Sequence, residues 1–212
     1  MASWTSCWRT RVTTLHNLTR RPAAADPFTL TNARVHEAGG PGRRAFALVQ
    51  CLRHPGPVLW VLPAHEPQRP MLRGLPAGLG ERLMLLTPKG ETDLLWCVEE
   101  ALRAAPVALV IAEPQQALSL TAGRRLQLAA ETGRTTGLML IREGQGSSAC
   151  ETRWHCEPVA ATAADSTLHR WSLNKNKSGT IGSWTLNWHG ATAAVHLVSP
   201  AGERCQPAEP PR

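Results

Sequence analysis

Glu113 is the residue whose setting most clearly allows chemistry. It ends the apolar run ALVIAEP at 108–114, and a carboxylate at the end of a buried strand is how many nucleotide-binding sheets hold a metal-bound triphosphate. That chemistry also needs a glycine loop followed by Lys and then Ser or Thr, to pair the phosphate charge and ligate magnesium. Gly-Lys followed by Ser or Thr occurs nowhere in the chain. Cys150, His155 and Cys156 are the only cluster resembling metal ligands, and no second Cys/His pair of matching spacing completes a site, so no metal is expected. His36 and Glu37 adjoin one another, but His36 reads as a satisfied core residue. Nothing forms a nucleophile, base and orienting group. Trp154, Trp171, Trp184 and Trp188 fall in alternating segments. On one exposed face they would stack bases or anchor a partner; facing the helices they would be core.

The elements that must position Glu113 follow from periodicity. LTAGRRLQLAAETG, after the acid, has helical spacing and predicts a helix over 121–132, capped by Ser119 or Thr121 and stopped by Gly133 in a left-handed conformation. Strands are predicted at 58–62 (VLWVL), 83–86 (LMLL), 108–112 and 138–141. Helices are predicted at 43–53 and 93–104, the latter with Thr92 as N-cap and Glu99 and Arg103 pairing on its exposed side. Trp60 and Trp96 read as packing residues. Alternating strands and helices over about 100 residues predict an α/β domain with a mostly parallel sheet flanked by helices. After Gly144 the pattern changes to alternating segments at 151–158, 168–174 and 183–189, which predict a C-terminal antiparallel β-meander.

The chain has 212 residues, enough to bury a core without staples, and 42% hydrophobic residues argue against global disorder. Its net charge is +7, which favours an acidic partner, nucleic acid first, although 20 of its 23 cations are Arg, a bias that genome composition alone can produce. Six Cys with no C-x-x-C motif fit a reduced compartment. No apolar run reaches membrane-spanning length, and the N-terminus lacks the apolar core of a secretory signal. Residues 1–33 read as a basic N-terminal arm, 34–198 as the domain, and 199–212 as a disordered Pro-rich tail.

The segments RVHE (34–37), GPVLWV (56–61), LLWCVEEALR (94–103), LTAGRRLQLAAE (120–131), TRWHCEP (152–158) and LNKNKSGTIGSWTLNW (173–188) together resemble the ImuA family, RecA-related proteins of bacterial mutagenesis operons often labelled SulA-like. The resemblance spans about 34–190 and implies a RecA-like core. In RecA a phosphate loop follows the first core strand, near Val35. Here that place holds EAGGPGRRAF at 37–46, with Gly39, Gly40 and Gly42 able to turn, but with Arg43 and Arg44 where Lys and Ser/Thr are needed. Glu113 then sits where the metal-binding acid of RecA would end its strand. The site is expected to be degenerate, the protein not an enzyme, and no cofactor is expected. Lys175 and Lys177 match paired basic residues at the RecA filament interface and are candidates, with Arg124, Arg125, Trp184 and Trp188, for contact with DNA or a partner.

The resemblance implies a non-catalytic accessory factor in SOS-induced translesion DNA synthesis. It would adapt an ImuB-like Y-family polymerase homologue to an error-prone C-family DNA polymerase, with RecA and DNA as further contacts and no membrane. The setting would be the cytoplasm, at the nucleoid during DNA damage. Two rivals share the fold: a SulA-type division inhibitor binding FtsZ, and an active RecA-family ATPase or recombinase.

Overall fold

The computed structural model describes residues 26–70, 75, 77–160, 167–189 and 194–200. Most of the basic arm, residues 161–166 and the last 12 residues lie outside that set. One nine-stranded mixed sheet organises the chain, in the order β3-β2-β4-β5-β1-β6-β7-β8-β9. Its parallel half comprises β1 (Val35–Gly39), β2 (Val58–Val61), β3 (Leu83–Leu86), β4 (Leu109–Ala112) and β5 (Thr136–Leu140). β6 (Thr152–Val159) runs parallel to β1 and antiparallel to β7 (Thr167–Asn176). β8 (Gly182–His189) and β9 (Ala194–Pro200) complete the antiparallel meander. The expected α/β class and its change from parallel to antiparallel strands are present.

Among the described residues three helices pack on the parallel half. α1 (Arg43–Arg53) lies on one face and α2 (Glu91–Arg103) with α3 (Leu120–Gly133) on the other, because the alternate residues of β1, β2, β4 and β5 feed two separate cores. Ala38, Trp60, Ile111, Leu138, Trp154 and Trp171 pack with Phe46 of α1, and the 28–30 segment adds Phe28 and Leu30. Val35, Val110, Ala112 and Met139 pack instead with Leu94, Val98 and Leu102 of α2 and Leu126 of α3. β4 and β5 are buried along their whole length, which explains their unbroken apolar sequence. The described helices include none long and apolar enough to cross a membrane.

Several local expectations are corrected. α2 begins at Glu91 with Gly90 as N-cap, not at Asp93 behind Thr92. The Glu91 carboxylate accepts from the backbone N–H groups of Gln115 and Gln116 and so ties the first turn to the loop after β4. Gly133 is the last helical residue of α3, and Arg134 takes the left-handed cap at φ 56°. Glycine is required at 133 for a different reason: a Cβ there would lie 2.0 Å from the Leu102 carbonyl oxygen, where the ends of α2 and α3 meet. Glu99 does pair with Arg103 at 2.5 Å, but it is buried, since Arg125 of α3 caps its other oxygen at 2.6 Å. Trp96 is 62% exposed: the apolar stripe of α2 is Leu94, Val98, Ala101 and Leu102, and position 96 points away from it. The last strand, β9, extends to Pro200, past the expected boundary at 198.

Candidate functional site

The turn between β1 and α1 is the place where the resemblance puts a degenerate phosphate loop. Only Gly40, Pro41 and Gly42 separate strand from helix. The turn lies directly against β6. Gly42 N–H donates to the Cys156 carbonyl at 2.8 Å, and a Cβ on Gly40 (φ 84°) would stand 2.4 Å from the same oxygen. The Arg43 N–H turns back to the Gly40 carbonyl, which also accepts from the Arg43 guanidinium at 3.1 Å. Amides that would cradle a phosphate are therefore engaged within the protein. α1 also opens with two Arg and no acid in its first turn, the reverse of what a helix dipole favours.

Glu113 resolves that conflict. It lies just past β4 on the α1 face, 3% exposed. Arg44 Nε donates to Glu113 Oε1 at 3.0 Å and Arg44 Nη2 to Oε2 at 2.8 Å, a bidentate pair. Trp60 of β2 donates its indole N–H to Oε1 at 2.9 Å. Glu66 stands 3.6 Å from the same guanidinium on its outer side. Both oxygens of the acid are thus engaged by the residue that stands in place of a phosphate-loop Lys or hydroxyl. Magnesium and a triphosphate do not fit this set: there is no ammonium for the phosphates, no hydroxyl for the metal, and no free carboxylate oxygen. Among the described residues no three His, Cys, Asp or Glu side chains gather as a metal site.

His36 and Glu37 serve opposite faces of β1. His36 Nε2 donates to the Thr31 carbonyl at 2.9 Å, so in the neutral ring Nδ1 accepts from the Thr152 hydroxyl at 2.7 Å. Burial holds its pKa down at about 4. Glu37, 1% exposed, accepts from Ser147 N–H at 2.8 Å and from Arg153 Nε at 2.7 Å. It anchors the 147–150 segment beside the C-terminal end of β1. Burial, reinforced by Glu37, pushes the Cys150 thiol in that segment up to about 11.

Lys175 and Lys177 reach the same segment. Lys175 Nζ donates to the Ser148 carbonyl at 2.6 Å and Lys177 Nζ to the Ala149 carbonyl at 2.8 Å. Gln127 of α3 donates to Ala149 and Val35 carbonyls and accepts from Val35 N–H, tying α3 to the same place. A groove of about 460 Å³ is left between α3 and this segment, lined by Leu120, Arg124, Gln127, Leu128, Ser148, Ala149 and Lys177. It brings together two of the sequence candidates, Arg124 and Lys177. Arg124 is exposed and makes no ion pair among the described residues. Arg125, its neighbour, is turned toward α2 and held by Glu99.

Trp184 and Trp188 are half-buried on the α1 side, packed against the core. Trp184 lies edge-on to Phe28 at 5.6 Å and 5.8 Å from Trp154. They do not form an open aromatic face. The sequence reading missed Trp60 as a partner of Glu113, Glu37 as an anchor, and Gln127 as a clamp. The signal for Glu37 was present, since a carboxylate inside a strand that the resemblance places in the core demands a partner.

No family model matches the chain. Among curated proteins it is 31% identical over 190 residues to Protein ImuA of Caulobacter vibrioides strain NA1000 / CB15N, covering 79% of this chain and 76% of that protein. Protein ImuA of the same species, strain ATCC 19089 / CIP 103742 / CB 15, matches to the same extent.

Proposed function

The chain belongs to the ImuA family, and from that premise we propose that it works without catalysis in the damage-induced mutagenesis system of that family. It acts as an adaptor built on a RecA-like core. Its partners are an ImuB-like Y-family polymerase homologue and an error-prone C-family DNA polymerase, with RecA and DNA as further contacts in the cytoplasm. The observation that carries the non-catalytic part is the Arg44–Glu113–Trp60 cluster. A strand-ending acid serves a metal-bound triphosphate through oxygens that face the metal, and here they face a guanidinium and an indole. A surface left free of turnover is what an adaptor needs.

Titration with a fluorescent ATP analogue and magnesium tests this directly. The expected result is no saturable binding at millimolar nucleotide and no hydrolysis. Magnesium-dependent turnover that disappears in Glu113→Ala would overturn the reading. Co-purification with the ImuB-like protein of the same genome tests the adaptor role, and its absence would remove it. Addition to a polymerising FtsZ-type ring protein should leave polymerisation unchanged; strong inhibition would replace the adaptor with a division inhibitor. Any DNA contact must weaken steeply with salt if phosphates supply it.

A further inference from the structure

We infer that the groove between α3 and the 147–150 segment receives an acidic amphipathic helix of the adaptor's protein partner, an inference that rests on the adaptor reading. Leu120, Arg124 and Leu128 recur every fourth residue and so form one strip along α3. Leu120 is 45% and Leu128 62% exposed, on a helix whose opposite side already fills the core. The facing wall is Ser148, Ala149 and Lys177. Ile181, 66% exposed, follows the turn that carries Lys177.

Charge and shape select the occupant. The lining has two cations, Arg124 and Lys177, and no acid. Glu131, farther along α3, is taken by Arg34. An acidic segment is favoured and a basic one repelled. The strip from Leu120 to Leu128 is about 12 Å long, two helical turns, matching a helix that presents apolar anchors at i and i+4. Nucleic acid suits it less. No aromatic side chain lines the groove to stack a base. The exposed leucines have nothing to offer a phosphate. The wall is also rigid: Glu37, Arg153, Lys175, Lys177 and Gln127 all fix the 147–150 segment, so ordering it costs little when the partner docks.

The test uses the full chain and the full-length ImuB-like protein of the same genome, with binding measured by surface plasmon resonance. Leu128→Glu and Arg124→Glu should each weaken binding at least tenfold, while Arg124→Lys and the distant Arg170→Glu should bind as the unaltered chain does. Of 20-residue peptides tiling the partner, those that bind should be acidic with apolar residues four apart. If the unaltered chain binds and the two groove variants bind equally well, the groove proposal falls and the adaptor reading stands. If the unaltered chain does not bind, both fall. Selection of basic peptides, loss of binding to a single-stranded oligonucleotide alone in Arg124→Glu, or conversion of a dimer to a monomer by Leu128→Glu would each overturn the proposal.

Discussion

Arg44 holds both carboxylate oxygens of Glu113 from 69 residues away in the sequence, at 3.0 and 2.8 Å. The guanidinium comes from the first turn of α1 and the acid from the residue after β4, so the pair locks helix to sheet at the C-terminal rim of the strands.

Removing the guanidinium should therefore destabilise more than its half-buried position implies. Arg44→Ala leaves Glu113 buried with Trp60 as its remaining donor, and is expected to cost about 2–5 kcal/mol. Glu113→Gln keeps an acceptor for Trp60 and should cost less. The double exchange Arg44→Leu with Glu113→Leu should recover much of the loss, because both charges leave together. Urea unfolding measures all three, and an unchanged midpoint for Arg44→Ala would refute the role given to the pair.

His36 makes stability depend on pH. Its folded pKa of about 4 lies below the ordinary 6.5, because burial disfavours the charged ring. The unfolded chain binds the proton more readily, so stability is full above pH 6.5 and is lost as pH falls toward 4, by about 3 kcal/mol in all. Burial also lowers His54 and His169, which act in the same direction. His36→Leu should show a smaller stability difference between pH 7 and pH 5 than the unaltered chain; an identical difference would exclude His36 as the source.

The junction of α2 and α3 separates two effects that glycine usually combines. Gly133→Ala drives a Cβ into the Leu102 backbone and should cost about 1–3 kcal/mol. Arg134→Gly relieves a left-handed non-glycine residue and should gain up to about 1 kcal/mol. Thermal unfolding of the two variants should move in opposite directions.

The two lysines of LNKNK have structural partners. Replacing Lys175 and Lys177 by Met should raise amide exchange at Ser147 and Ala149 by roughly tenfold for each 1.4 kcal/mol of hydrogen bonding lost. Affinity for a single-stranded oligonucleotide should change little. Fast loss of that affinity with unchanged exchange would return the lysines to a phosphate-binding role.

Periodicity placed α1 and β3 at their observed limits, because each is a local pattern bounded by Pro and Gly. The start of α2 was missed because its first turn is fixed by Gln115, on a loop 24 residues away. Trp96 was read as packing from its residue type, whereas helical phase puts it outside. The site was half legible. The sequence held the missing phosphate loop and the strand-ending acid, but not their union, since nothing local to Arg44 announces Glu113. The groove was invisible for the same reason: α3 supplies one wall, and the other comes from a segment placed by Glu37 through hydrogen bonds spanning 110 and 116 residues.

The placement of β1 between β5 and β6 also governs how the chain must assemble. Its ladder partners are Gly137 to Leu140 on one side and Arg153 to His155 on the other. The central strand thus precedes every other described strand and cannot be enclosed until some 120 further residues have followed it. Its non-local pairings close late and slowly. Until then Val35, Ala38 and the apolar strands made after it lack their neighbours, and the nascent chain presents the surface that chaperones hold and aggregates recruit.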